Sequence, residues 1–192
     1  MLSRRVVALC GVSCYLAFVV SITSAWAGDD SARTTVRVTR NGTVFEVEAL
    51  SRVNADLATA WAVLTDYGGY KDFVPGMILS RRVSDDPLLI EQRGEFGLLF
   101  FSKQVNVLLE VVETTPSMLY FRSLQGNLRQ LETSVDMRKE GDRVLIAYHS
   151  LIEPDFWVPP LIGTPIVRSA IRRKLDAVAG EIERREDPAA TR

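Results

Sequence analysis

The chain has 192 residues, with 23 Lys and Arg, 24 Asp and Glu, one His and two Cys, which suits one ordinary globular domain and excludes a large multidomain enzyme. Apolar residues make up 47% and charged residues 24%, so neither a disordered chain nor a collagen-like repeat fits. A formal net charge of -1 argues against nucleic acid as a partner, because phosphate binding needs a surplus of Lys and Arg gathered on one face.

The first 27 residues read as a secretory signal. Arg4 and Arg5 precede an apolar run from Val6 to Ile22, and Ala25-Trp26-Ala27 offers small side chains to a signal peptidase, with cleavage before Gly28. The run is short for a bilayer span, so an uncleaved membrane anchor is the alternative. Arg4-Arg5 gives only a faint twin-arginine signal, and Cys14 lacks the preceding leucine-like residue of a lipidation site. Cleavage removes both cysteines and two arginines, leaving 21 basic against 24 acidic groups. An exported chain of this kind, periplasmic in a bacterium, has no disulfide and relies on core burial. With one His and no Cys it cannot assemble a four-ligand zinc site, and no cofactor motif occurs.

Residues 28–33 are polar and read as a flexible leader. Thr34–Arg40 and Thr43–Leu50 flank Asn41-Gly42, a strong hairpin turn signal because both residues tolerate positive φ. The same residues with Thr43 form a glycosylation sequon, which the turn explains better. Phe45, Val47 and Ala49 alternate with Glu46 and Glu48, so one face is buried and the other wet. Asn54 is the expected cap of a helix to about Tyr67, with Leu57, Trp61 and Leu64 along one side. Gly68-Gly69 stops it, a short helix or turn follows at Tyr70–Phe73, and Val74-Pro75-Gly76 leads into β structure.

From Met77 to about Ile152 four breaks rich in turn residues delimit five or six antiparallel strands: Ser84–Pro87, Thr114–Ser117, Gly126-Asn127 and Lys139–Asp142. Connections this short permit hairpins and forbid parallel crossovers, so a meander is expected. After Pro159-Pro160, apolar residues from Ile162 to Ile182 recur every three or four positions, predicting a long amphipathic helix to about Glu186. Its outer face is expected to carry Arg168, Arg172, Arg173, Lys174, Arg184 and Arg185, with exposed pairs such as Glu181 with Arg185. Residues 187–192 read as a disordered tail.

This order predicts an α+β fold in which a curved antiparallel sheet wraps the last helix. The stretch Asn54–Trp61, continuing through Leu64-Thr65-Asp66-Tyr67 to Tyr70-Lys71-Asp72-Phe73-Val74-Pro75-Gly76, resembles the phrase W-x-x-L-T-D-Y … Y-x-x-F-V-P of the polyketide cyclase/dehydrase and coenzyme Q-binding family of START-like domains. The resemblance covers roughly residues 34–186 and implies a helix-grip fold. It also implies a cavity between sheet and C-terminal helix, used by relatives to hold sterols, quinones, polyketides or other apolar molecules. The fold hosts both binding and catalysis. Two departures stand out: an apparent export signal, and no second His for acid–base chemistry.

If such a cavity exists, Phe96, Phe100, Tyr120, Tyr148 and Ile166 are the large side chains expected at its inward positions, with ordinary core packing as the bland reading. Both faces around Tyr120 and Phe121 are apolar, so a one-residue error in register would exchange inside for outside. Tyr67 and Phe73 in one loop and Trp157 in another are the expected rim, where exposed aromatics would favour transient contact with a bilayer. Gln92, Arg122 and Glu153 are polar groups able to fix a ligand head, with solvent-facing alternation the simpler account. His149 reads as a surface residue, and no G-x-S-x-G occurs. The leading expectation is a protein that carries a hydrophobic small molecule unchanged. The alternative is a cyclase or dehydratase using a buried carboxylate or tyrosine in the same cavity. A third reading, a protein-interaction module, would fill the cavity with its own side chains. Nothing in the sequence fixes the oligomeric state.

Overall fold

The computed structural model describes residues 33–98, 101–114 and 116–187, with no account of the side chains of residues 98 and 101. The export signal, residues 28–32 of the leader, Phe100 and residues 188–192 lie outside the described residues. The chain opens with the expected hairpin, β1 (Thr34–Asn41) and β2 (Val44–Val53), turning at Gly42 with φ of 63°. Burial alternates along all of β2, the imprint of a strand with one face in the core.

The first helix, α1 (Leu57–Leu64), is shorter than expected at both ends. Its cap is Asp56, not Asn54: Asp56 Oδ1 accepts a hydrogen bond from the Thr59 amide at 2.6 Å, and that donor holds the carboxyl below its usual range. Asn54 instead donates its backbone N–H to Glu183 Oε1. A short helix, α2 (Tyr70–Phe73), follows as expected.

Six strands then run β3 (Met77–Asp85), β4 (Leu88–Leu98), β5 (Phe101–Thr114), β6 (Met118–Gly126), β7 (Leu128–Glu140) and β8 (Arg143–Pro154). They form an antiparallel meander, and β8 pairs with β2, giving one eight-stranded sheet in the order β1-β2-β8-β7-β6-β5-β4-β3. The final helix, α3 (Pro160–Glu186), lies on one face of that sheet. Pro160 sits at its N-terminus, where the missing N–H costs nothing. Pro165 lies inside the helix and removes the donor for the carbonyl of Leu161, a residue 93% exposed and open to water.

The core lies between the inner face of β2, β8 and β7 and the stripe Val167, Ile171, Leu175, Val178 and Ile182 of α3, with Ala60, Val63 and Leu64 of α1 closing one end. A second cluster around Ile90, Val107, Leu109 and Val111 packs under β4 and β5. Arg40 braces the loop that enters α3, donating to the Val158 and Pro159 carbonyls while its guanidinium lies over the Phe45 ring.

Candidate functional site

Between the concave face and α3 the structure leaves a cavity of about 240 Å³. Its floor is the inward positions of the meander: Val105, Val107 and Leu109 on β5, Phe121 on β6, Leu131 and Val135 on β7, and Ile146 and Ile152 on β8. Its roof is Val167, Ala170, Ile171, Lys174, Leu175 and Val178, one face of α3 at three- and four-residue spacing. Val74–Met77 and the β4 segment Gly94–Phe96 form one edge, where Pro75, Gly76 and Glu95 are exposed. That edge is tightly built. The Glu95 amide donates to the Gly76 carbonyl at 2.8 Å, and a Cβ on Gly94 would stand 2.9 Å from the same oxygen.

The wall is mostly apolar, and four of its polar side chains are satisfied by the protein. Thr133 Oγ1 and Ser150 Oγ share a hydrogen bond at 2.7 Å, Ser51 Oγ and Thr34 Oγ1 share one at 3.1 Å, and Gln92 Nε2 donates to Ser80 Oγ at 3.2 Å. The Tyr70 hydroxyl donates to the Leu64 carbonyl at 2.7 Å; burial pushes this phenol well above its usual range. Among the described residues no cluster of His, Cys, Asp and Glu could hold a metal ion.

The residues expected at the site separate. Phe96 and Tyr148 line the cavity. Tyr120 does not: Leu119 and Phe121 face the core, so Tyr120 shares the outer face with Arg122, which pairs with Glu110. Ile166 is buried but off the cavity, whose roof at this level is Val167 and Ala170. Tyr67 is 2% exposed beneath the second cluster, its hydroxyl donating to Glu113 Oε1 at 2.7 Å, and burial followed by that carboxylate raises its pKa. Phe73 stands behind the wall, its ring edge-on to Tyr70 with centroids 5.4 Å apart. Trp157 is 71% exposed, outside the cavity, while its neighbour Phe156 lines it.

Among the polar candidates, Gln92 lines the wall, while Glu153 accepts a hydrogen bond from Thr43 outside it. His149 is exposed beside Glu46, as expected. Two charged residues expected on the solvated side of α3 face inward. Lys174 lines the cavity roof, and Glu181 is buried against Arg184 and Arg185. Most of the lining was missed by sequence reasoning, Phe121, Phe156, Val167, Ala170 and Lys174 among it. For the α3 residues the signal was present, since 167, 170, 171, 174, 175 and 178 trace one helical stripe.

A curved antiparallel sheet gripping a long C-terminal helix around an apolar hollow defines a START-like, helix-grip domain. The chain belongs to the polyketide cyclase / dehydrase and lipid transport family, whose model matches residues 53–179. Solved structures share the fold at low identity. A STAR-related lipid transfer protein from Xanthomonas axonopodis superposes with a TM-score of 0.64 at 12% identity, covering 81% of this chain and 96% of that one. Human STARD10 gives 0.62 at 11% identity, over 82% of this chain and 72% of that one. The Zhui aromatase/cyclase from Streptomyces sp. R1128 gives 0.59 at 16% identity, over 77% of this chain and 98% of that one. No curated protein sequence matches the chain significantly.

Proposed function

We propose that this is an exported protein that binds and carries a hydrophobic small molecule, of lipid, quinone or polyketide type, without changing it. The observation that supports this reading is a hollow whose wall is mostly apolar, with Ser51, Tyr70, Gln92 and Thr133 already hydrogen-bonded within the protein. Such a wall gives a guest burial mostly against aliphatic and aromatic side chains. An apolar cavity of about 150 Å³ suffices for benzene. At about 240 Å³ the hollow admits a larger guest, yet is smaller than the usual range of drug-sized sites, so a long molecule would leave part of itself at the mouth. Catalysis in the same cavity would need a carboxylate or phenol aimed at the lumen. Among the described residues the one carboxylate on the wall, Glu95, is exposed, and of the two phenols there the Tyr70 hydroxyl is already committed to Leu64, which leaves Tyr148 as the group a catalytic reading would have to use.

Export rests on the N-terminal charge, apolar run and A-x-A site, and exposed Trp157, Leu161 and Ile162 at the entry to α3 form an apolar knob suited to transient bilayer contact. Solvent extraction and native mass spectrometry of protein purified from its own compartment test carriage. An intact co-purifying apolar molecule is expected. An empty protein that also refuses a neutral apolar dye would overturn it, and a chemically altered molecule would shift the reading to the cyclase. N-terminal sequencing of the exported fraction should begin at Gly28.

A further inference from the structure

We infer that the carried molecule bears an acidic group, a carboxylate or a phosphate, which is held at the cavity roof by Lys174. This deepens the carrier reading and rests on it. Lys174 occupies the cavity-facing stripe of α3, between Ala170 and Ile171 one turn before and Val178 one turn after. Every other roof residue on that stripe is apolar. The side chain is half-buried, and its ammonium makes no ion pair or hydrogen bond among the described residues.

Neighbouring charges do not neutralise it. On α3, Asp176 is paired with Arg172, and Arg173 is engaged with Ser169 Oγ and the Gly97 carbonyl. On the facing strand, Glu95 is the other charged residue at the cavity. It is exposed, and strand alternation turns its carboxylate away from the inward Gly94 and Phe96. A cation at the boundary between an apolar hollow and the open edge matches an amphiphile lying tail-in, with its acidic head at the rim. A charge-assisted hydrogen bond there favours an acidic head over a neutral one by about tenfold to a hundredfold.

The test uses displacement of the neutral dye N-phenyl-1-naphthylamine from the purified chain by decanoate, decyl phosphate and decanol, each below its micellar concentration. Decanoate or decyl phosphate is expected to bind at least about tenfold more tightly than decanol. The tighter of the two identifies the head. Lys174→Met should lower acid affinity to that of decanol while leaving decanol unchanged, Lys174→Arg should keep most of the preference, and Glu95→Gln should not weaken the acids. If decanol binds as tightly as both acids, or Lys174→Met keeps the acid preference, the inference fails while the carrier reading stands; the lysine then only covers the wall with its methylenes. Failure of the dye and all three ligands would sink the carrier reading itself.

Discussion

Glu181 gives the sharpest test of how the roof helix is held. Its carboxylate is 9% exposed and accepts hydrogen bonds from Arg184 Nε, Arg184 Nη2 and Arg185 Nε, each at 2.7 Å. Arg185 reaches on to Asp66 Oδ2 at 2.7 Å, and Asp66 Oδ1 accepts the Gly69 amide, so the network ties α3 to the turn between α1 and α2. The Arg184 hydrogen bonds, seconded by Arg185, hold the Glu181 carboxyl at about 2 against an ordinary 4.5. That difference corresponds to at most about 3 kcal/mol of stability at neutral pH. Arg184 is half exposed and screened by salt, so about 2 kcal/mol is expected in practice. Because the folded pKa is the lower one, this stability is fully present above 4.5 and lost as the pH falls through about 2. Glu181→Gln should therefore lower the melting temperature by about 4–8 °C near neutrality. The gap to wild type should close as both proteins are acidified. Thermal unfolding followed by circular dichroism across this range measures it. A gap that is absent at neutral pH, or that persists undiminished in acid, would refute the electrostatic account.

Four further outcomes follow from particular contacts. Gly126 has φ of 127° and a Cβ there would overlap the Asn106 carbonyl oxygen, so Gly126→Ala should cost about 3 kcal/mol or more in chemical denaturation. Ala170→Phe places a ring in the hollow and should abolish dye uptake while changing stability by no more than about 1–3 kcal/mol; unchanged uptake would place the dye elsewhere. Tyr70→Phe keeps the packed ring but removes the hydrogen bond to Leu64, and should cost about 1 kcal/mol in urea unfolding. Trp157→Ala should leave stability within about 0.5 kcal/mol and weaken co-sedimentation with lipid vesicles, since the ring is largely solvent-exposed.

The architecture was legible where turn chemistry and period agreed. Asn41-Gly42 announced β1 and β2, and Lys139–Asp142 announced the turn from β7 to β8, because those residues accept backbone angles that strand residues avoid. The strand change between Leu98 and Phe101 carried no such residue. It falls inside the run Leu98-Leu99-Phe100-Phe101, so four turn signals stood for what the structure resolves into six strands. The start of α1 was misread for a related reason. Asn54 and Asp56 are both good caps; Asp56 takes the local cap bond from the Thr59 amide, while Asn54 is held outside the helix by a long-range bond from its backbone N–H to Glu183.

The site was legible only in part, because a cavity is a property of what side chains fail to fill. Large aromatics were sought as wall, yet Tyr67 and Phe73 are large enough to span from their own loops into solid packing, and they make core. The wall instead uses mostly mid-sized residues such as Val135, Ile146 and Ala170, whose limited reach from sheet and helix leaves the space between them open. Tyr120 and Phe121 were indistinguishable by composition, and the pairing of Phe121 with Thr133 on β7 decides which of them turns inward. The same reasoning explains Lys174. A charged residue within a basic segment is read as solvated by default, but its spacing from Val167, Ala170, Ile171 and Val178 puts it over the hollow. A lysine there can extend along an apolar wall because, among the described residues, the side chains opposite leave that space open.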